Sequence, residues 1–195
     1  MPSRENRAIT DLSTLKALAH PLRMQLYRGL CVARTATASQ LAEQVDEAVS
    51  LVSYHLRKLA EHGLVEEAEP QSADGRERWW QPASDGVSIR DKDFRDAPER
   101  AAAHLAATRL IHEQRADMYR RYLDARQTWG PEWNSAAPDN ESLLRLNAAE
   151  LAELAAELLA LAKKYDAKGR AAEAAGDTEG RENVALHVSG FPFRV

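Results

Sequence analysis

Cysteine is almost absent from this 195-residue chain: Cys31 stands alone, so no internal disulfide can form. A lone thiol suits a reducing compartment, and a cytoplasmic location is expected. Near a helix end, Cys31 reads as a buried inert thiol rather than a redox sensor. No apolar run approaches the roughly 18 residues a membrane helix needs. The opening MPSRENRA has no apolar h-region, so no signal peptide is expected. No Gly-rich phosphate loop or nucleophile elbow is present, and the paired carboxylates fall on solvated helix faces. An enzyme is therefore not expected, nor is a bound cofactor. An excess of positive charge is missing too. The net charge is −4. Residues 1–90 carry 11 Lys and Arg against 12 Asp and Glu, and the remainder carries 15 against 18. A general nucleic-acid coat protein is excluded, and any DNA affinity must come from a local patch.

The densest signal runs from Val49 to Pro82. Val49, Val52, Leu56 and Leu59 recur at helical spacing and predict a buried seam. Ser50, Leu51, Ser53, Tyr54, Arg57 and Lys58 fall on the opposite face. Short hydroxyls, an aromatic ring and long cations are the groups that read base edges and phosphates, and Leu51 suits a thymine methyl. A merely solvated face would use the same residue types; the surrounding pattern favours DNA contact. Gly63 stops the helix as a C′ glycine. Leu64 to Ala68 then predicts a strand, Asp74-Gly75 a hairpin turn, and Arg76 to Trp80 the returning strand. Arg76 and Arg78 alternate onto one face, as phosphate contacts or as ordinary edge charges. Trp79 and Trp80 read as packing of the hairpin on the core. Upstream, Thr37 to Val45 predicts a short helix and Asp46 to Ala48 a tight turn, which completes a helix-turn-helix. Leu12 to Leu18 and Pro21 to Val32 predict two more helices, with Pro21 suited to a first turn.

These residues resemble the winged-helix repressors of the ArsR (arsenic-repressor) type. The resemblance lies in Leu18, Pro21 and Arg23 of the opening motif, and in Ser53, His55, Leu56, Leu59, Gly63, Leu64 and Val65 of the recognition element. It covers about the first half of the chain. It implies a homodimer on double-stranded DNA, at a near-palindromic operator, under control of a signal. Metal is the best-known signal of that family. The expected Cys pair is missing from Thr37 to Val45, and His104, His112 and Glu113 do not match the family's ligand spacing, so no metal site is expected. His55 reads as a structural hydrogen-bonding residue.

The second half is read separately. Ala83 to Asp96 reads as a linker. Pro98 opens a long helix to about Thr128, with Ala101, Leu105, Thr108, His112, Tyr119 and Tyr122 on a mixed face suited to pairing with another subunit. Trp129-Gly130-Pro131 breaks it. Asn147 to Glu150 is a capping box for a second long helix ending near Ala175. Ser142 to Leu146 and Val184 to Ser189 predict a small antiparallel β pair. Tyr122, Trp129, Trp133, Phe191 and Phe193 form an aromatic mini-core, the preferred reading, or line an apolar pocket for a small organic effector. The expected fold is mainly α: a winged helix-turn-helix with a two-stranded wing over residues 1–90, and a helical dimerisation domain with the β pair over residues 91–195. The expected function is a sequence-specific transcriptional regulator, a repressor by resemblance. A winged helix that binds protein rather than DNA is the alternative, and the acidic balance favours it.

Overall fold

The computed structural model describes residues 7–71, 77–89 and 91–194. The chain forms two compact units, Met1–Asp124 and Ala125–Val195. In the first, strand β1 (Arg7–Ile9) precedes helices α1 (Leu12–Ala19) and α2 (Pro21–Ala33). Strand β2 (Ala36–Thr37), helices α3 (Ala38–Val45) and α4 (Val49–Glu61), and strands β3 (Val65–Ala68) and β4 (Trp79–Pro82) follow. Strand β5 (Val87–Ile89), a 3-10 turn at Asp91–Phe94 and helix α5 (Pro98–Asp124) complete it. The second unit holds a 3-10 turn (Arg126–Trp129), α6 (Gly130–Ala136) and α7 (Ala148–Ala174). No helix among the described residues is long and apolar enough to cross a membrane.

Local chemistry places the helix ends. Pro21 opens α2 at a position whose amide would lack a partner in any case. Thr37 caps α3 in a reciprocal box: its hydroxyl accepts from the Gln40 amide at 3.3 Å, while its own amide donates to Gln40 Oε1 at 2.9 Å. Asp46, in the left-handed region at φ 53°, turns the chain into α4. Gly63, at φ 60°, ends α4 as expected. The Gly63 amide donates to the Ala60 carbonyl and the Leu64 amide to Leu59, the two bonds of a Schellman stop. Asn147 and Glu150 form the expected capping box of α7, with the Asn147 amide donating to Glu150 Oε2 at 2.8 Å.

Val52, Leu56 and Leu59 of α4 are fully buried and pack on α2 and α3 with Leu26, Leu30 and Leu41. Val49, the first residue of α4, is not part of this seam: it is 47% exposed. The three strands order β2-β4-β3, with Glu67 opposite Trp80 and Ala68 opposite Trp79. Trp80 is buried, so it packs the hairpin onto the core as expected. The returning strand starts at Trp79 rather than Arg76, and the Asp74-Gly75 turn lies outside the described residues.

Three expectations are corrected. Residues 83–96 are not a linker: β5 pairs in parallel with β1, Ile9 opposite Ile89, and Phe94 is fully buried. Local periodicity cannot show such a pairing, since the two strands are far apart in sequence. The long helix α5 packs on α1 and buries His104, Ala107 and Ile111, so the structural units divide after Asp124 rather than after Arg90. Ser142 to Leu146 and Val184 to Ser189 form no strands. Their apolar residues are exposed, and a two-stranded ribbon with no layer against it is marginal in water.

His55 is buried on the inward side of α4, and its ring lies tilted against that of His20, with centroids 4.8 Å apart. The hydrogen bond expected of it is not made at Nδ1, which is buried without a partner. Desolvation holds the His20 imidazole below its ordinary range, with Arg23 adding to the effect. Desolvation does the same to His55, followed by the charges of His20 and Arg23, while Glu47 opposes them.

Replacing Leu56 by Ala should lower stability by about 2–5 kcal/mol, read from the denaturant midpoint, because a full core contact is lost at the centre of the unit. Because the folded pKa values of the histidine pair lie below 6.5, the unfolded chain takes up protons first on acidification. Stability is therefore complete above pH 6.5 and declines as pH falls below it. The urea midpoint should drop between about pH 7.5 and pH 5.5, and His55→Gln should flatten that dependence; equal slopes would count against the pair as its source.

Candidate nucleic-acid interface

The outward face of α4 is built by the burial of its inward one. With Val52, His55, Leu56 and Leu59 turned to the core, Ser50, Leu51, Tyr54 and Arg57 are exposed and Ser53 and Lys58 half-buried. All six α4 residues picked out in the sequence thus lie on the outer side of one helix. They are held by local contacts. Arg57 Nε donates to the Ser53 carbonyl at 3.3 Å. Lys58 Nζ lies 5.8 Å from the Tyr54 ring centroid and donates to Glu61 at 2.8 Å, which raises its pKa. Ala48, at the cap of α4, has no side chain to bond the first-turn amides, and the Leu51 and Val52 amides donate instead to its carbonyl at 3.0 Å.

In the wing, the Arg78 guanidinium pairs with Glu67 on the facing strand at 3.2 Å and lies over the Trp80 ring at 5.7 Å. Its charge is partly answered within the hairpin. Arg76 lies outside the described residues.

A groove of about 330 Å³ runs beside the C-terminal half of α4, lined by Ser13, Lys16, Ala17, Arg23, Lys58 and His62. Three strong cations and a histidine therefore converge from α1, α2 and α4. Arg23 also terminates α1, donating from Nε to the Ala17 carbonyl at 2.5 Å and from the guanidinium tip to Lys16 at 3.4 Å. Thr14 Oγ1 lies 3.5 Å from His62 Nδ1. Burial tends to raise the nearby Asp11 carboxyl, but hydrogen bonds from Ser13 and Thr14 outweigh it and hold the group at about 2. Asp11 is thus committed to capping α1. Lys16 and His62 carry no sequence signal, since only packing brings them beside Lys58; Arg23 was visible as a motif residue, without this role.

The other candidates separate. His104 is buried and stacks face to face on Phe94 at 4.8 Å, whereas His112 and Glu113 are exposed. His104 is therefore a core residue and does not converge with the other two. No metal-holding group of three His, Cys, Asp or Glu occurs among the described residues. Burial pushes the half-buried Cys31 thiol up, away from the reactive thiolate. Of the five aromatics, Tyr122 belongs to the first unit and the other four to the second. Phe191 and Phe193 are 72% and 54% exposed and close neither a mini-core nor a pocket.

Residues 18–68 match the family model described as a helix-turn-helix domain. No curated protein matches the chain. Among solved structures, a transcriptional regulator homologue from Pyrococcus horikoshii OT3 is 22% identical, with 51% of this chain and 87% of that one covered at a TM-score of 0.31. The adhesin competence repressor of Streptococcus pyogenes is 14% identical, with 75% and 81% covered at 0.30. A zinc-responsive MarR family member of Lactococcus lactis is 18% identical, with 76% and 74% covered at 0.28. At these TM-scores the likeness carries no argument of its own. The matched segment and the order of α2, β2, α3, α4, β3 and β4 make the first unit a winged helix-turn-helix.

Proposed function

We propose that this chain is an ArsR-like, sequence-specific regulator of transcription that binds double-stranded DNA as a homodimer. The observation that carries this reading is the outer face of α4, where Ser50, Leu51, Ser53, Tyr54, Arg57 and Lys58 stand together within a helix-turn-helix. In the proposed complex this face enters the major groove and reads base edges. The groove of Lys16, Arg23, Lys58 and His62 follows one phosphate strand beside it. Such a local patch supplies what the acidic whole does not, because counterion release depends on the contacted phosphates rather than on net charge. Arg78 adds a wing contact by exchanging Glu67 for phosphate, and Arg76 is proposed to act beside it. Two recognition helices about 34 Å apart would match a near-palindromic operator. Regulation without metal is supported by the single cysteine and by the divergence of His104 from His112.

The dimer contact is proposed on α5. His104, Ala107 and Ile111 bury one side of this helix, while Leu105, His112, Tyr119 and Leu123 line another, with Leu105 50% exposed. A helix of 27 residues is about 40 Å long, so most of that second stripe is left for a partner.

Arg57→Ala should weaken the operator complex by about 1–3 kcal/mol and leave a scrambled duplex nearly unaffected. Lys16→Ala should weaken both duplexes alike and reduce the salt slope by about 1. Fluorescence anisotropy with salt titration, on an operator found by genomic footprinting, measures both. Unchanged binding in both variants would favour a protein-binding winged helix instead. Leu105→Asp should split the dimer in sedimentation at micromolar concentration and lower full-operator affinity while half-site affinity persists. A variant that remains dimeric would remove α5 as the contact.

A further inference from the structure

The second unit has no buried side chain among its described residues 125–194. An apolar stripe nevertheless runs along more than half of α7, from Leu151 to Tyr165. Leu151, Leu154, Leu158, Leu161 and Tyr165 alternate at spacings of three and four, the heptad spacing of a coiled-coil seam. Leu161 and Tyr165 are more than half exposed, and Leu158 more than a third. Three small residues, Ala155, Ala162 and Gly169, follow the seam at intervals of seven on one flank. Glu150, Glu157 and Lys164 occupy the other flank at the same interval. Leu151, at the start of the seam, is already approached by the chain's own C-terminal segment: a Cβ on Gly190 would come within 3.1 Å of its Cδ1.

The charges of α7 are segregated along its length. Its first half carries Glu150, Glu153 and Glu157 and no cation. Its second half carries Lys163, Lys164, Lys168 and Arg170, against Asp166 and Glu173. Asp166 is already engaged by Arg170, whose Nε donates to it at 2.8 Å. Two copies side by side in the same direction would set acidic half on acidic half and basic on basic. They would also face Glu157 with an alanine and Lys164 with a glycine, since flanking positions pair across opposite flanks in a parallel seam. Two copies in opposite directions set each acidic half on a basic one.

We propose that α7 pairs antiparallel with α7 of a second copy of this chain. One register satisfies four of the five seam positions together and sets Leu151 against the aliphatic stem of the partner's Lys168. It places Leu158 against the partner's Leu161 and Leu154 against the partner's Tyr165. It brings Glu157 to the partner's Lys164 and Ala155 to the partner's Ala162, where small side chains let the helices approach closely. Each contact occurs twice by symmetry. Shifting the register by one heptad toward the N-terminus would bring Glu157 against its own copy, a like-charge contact. The pairing covers an exposed seam that the second unit cannot bury by itself. It requires neither DNA binding nor the α5 contact.

The test uses the full chain with Cys31→Ser. Ala155→Cys and Ala162→Cys are made as two separate proteins, which leaves every apolar layer of the seam intact. Mixed under a glutathione redox buffer, they should give a disulfide-linked pair containing one of each. Either protein alone should give little linked product, because two copies of the same position lie about 10 Å apart along the axis in this register. Glu157→Lys added to both proteins should cut the yield about five-fold, and further adding Lys164→Glu should restore it. The proposal is overturned if the mixture does not link, if each protein links with itself as readily as with the other, or if charge reversal leaves the yield unchanged. The disulfide reports α7 proximity directly, so its failure is distinct from failure of the α5 contact or of DNA binding.

Discussion

Burial of one stripe of α4 governs the rest of the first unit. Val52, Leu56 and Leu59 leave water completely when they pack on α2 and α3. At about 25 cal/mol per Å² of apolar surface, this contact outweighs any preference of the outward residues. A helix so seated has no rotational freedom, so Ser50, Tyr54 and Arg57 must point outward together. The Schellman stop at Gly63 then reverses the chain at a set angle, and Trp80 pins the returning strand on the same core. The outer face of α4 is thus set by hydrophobic packing rather than by contacts among its own residues.

Electrostatics follows from that packing. The net charge is −4, yet Lys16, Arg23, Lys58 and His62 line one groove. Of their carboxylate neighbours, Asp11 caps α1, while Glu61 holds Lys58 by an exposed pair that phosphate can replace. Exposed pairs of this kind contribute little to stability, so exchanging Glu61 or Glu67 for a phosphate oxygen costs the fold little. The histidine pair differs. His20, exposed at the junction of α1 and α2, lies against the buried His55 of α4, and the lowered pKa values of both link their protonation to folding.

The second unit rests on a different principle. Its long helix is defined locally, by the Asn147 box and by alanine-rich sequence of high helix propensity. Among the described residues its apolar seam is half-buried at Leu151 and Leu154 and exposed at Leu158, Leu161 and Tyr165. In α5, by contrast, one side is seated on α1 and Phe94, while the Leu105 stripe stays open. The two long helices are therefore unlike. One belongs to a folded core, and the other depends on what covers it.

Elements whose signals are local were legible in the order of the amino acids. Helical spacing marked α1 to α5, the Asn147 capping box marked α7, Pro21 and Gly63 marked helix ends, and the outer face of α4 could be named residue by residue. Only the tertiary structure decided what depends on distant partners. It joined β1 to β5 across most of the first unit, turned residues 83–96 from a linker into a strand and a turn that buries Phe94, and set His104 in a stack on Phe94. It exposed Val49, dissolved the expected β pair of the second unit, and brought Lys16 and His62 beside Lys58. The reason is physical. Periodicity records which side of an element is apolar, whereas burial, pairing and charge clustering depend on which other element comes to lie against it.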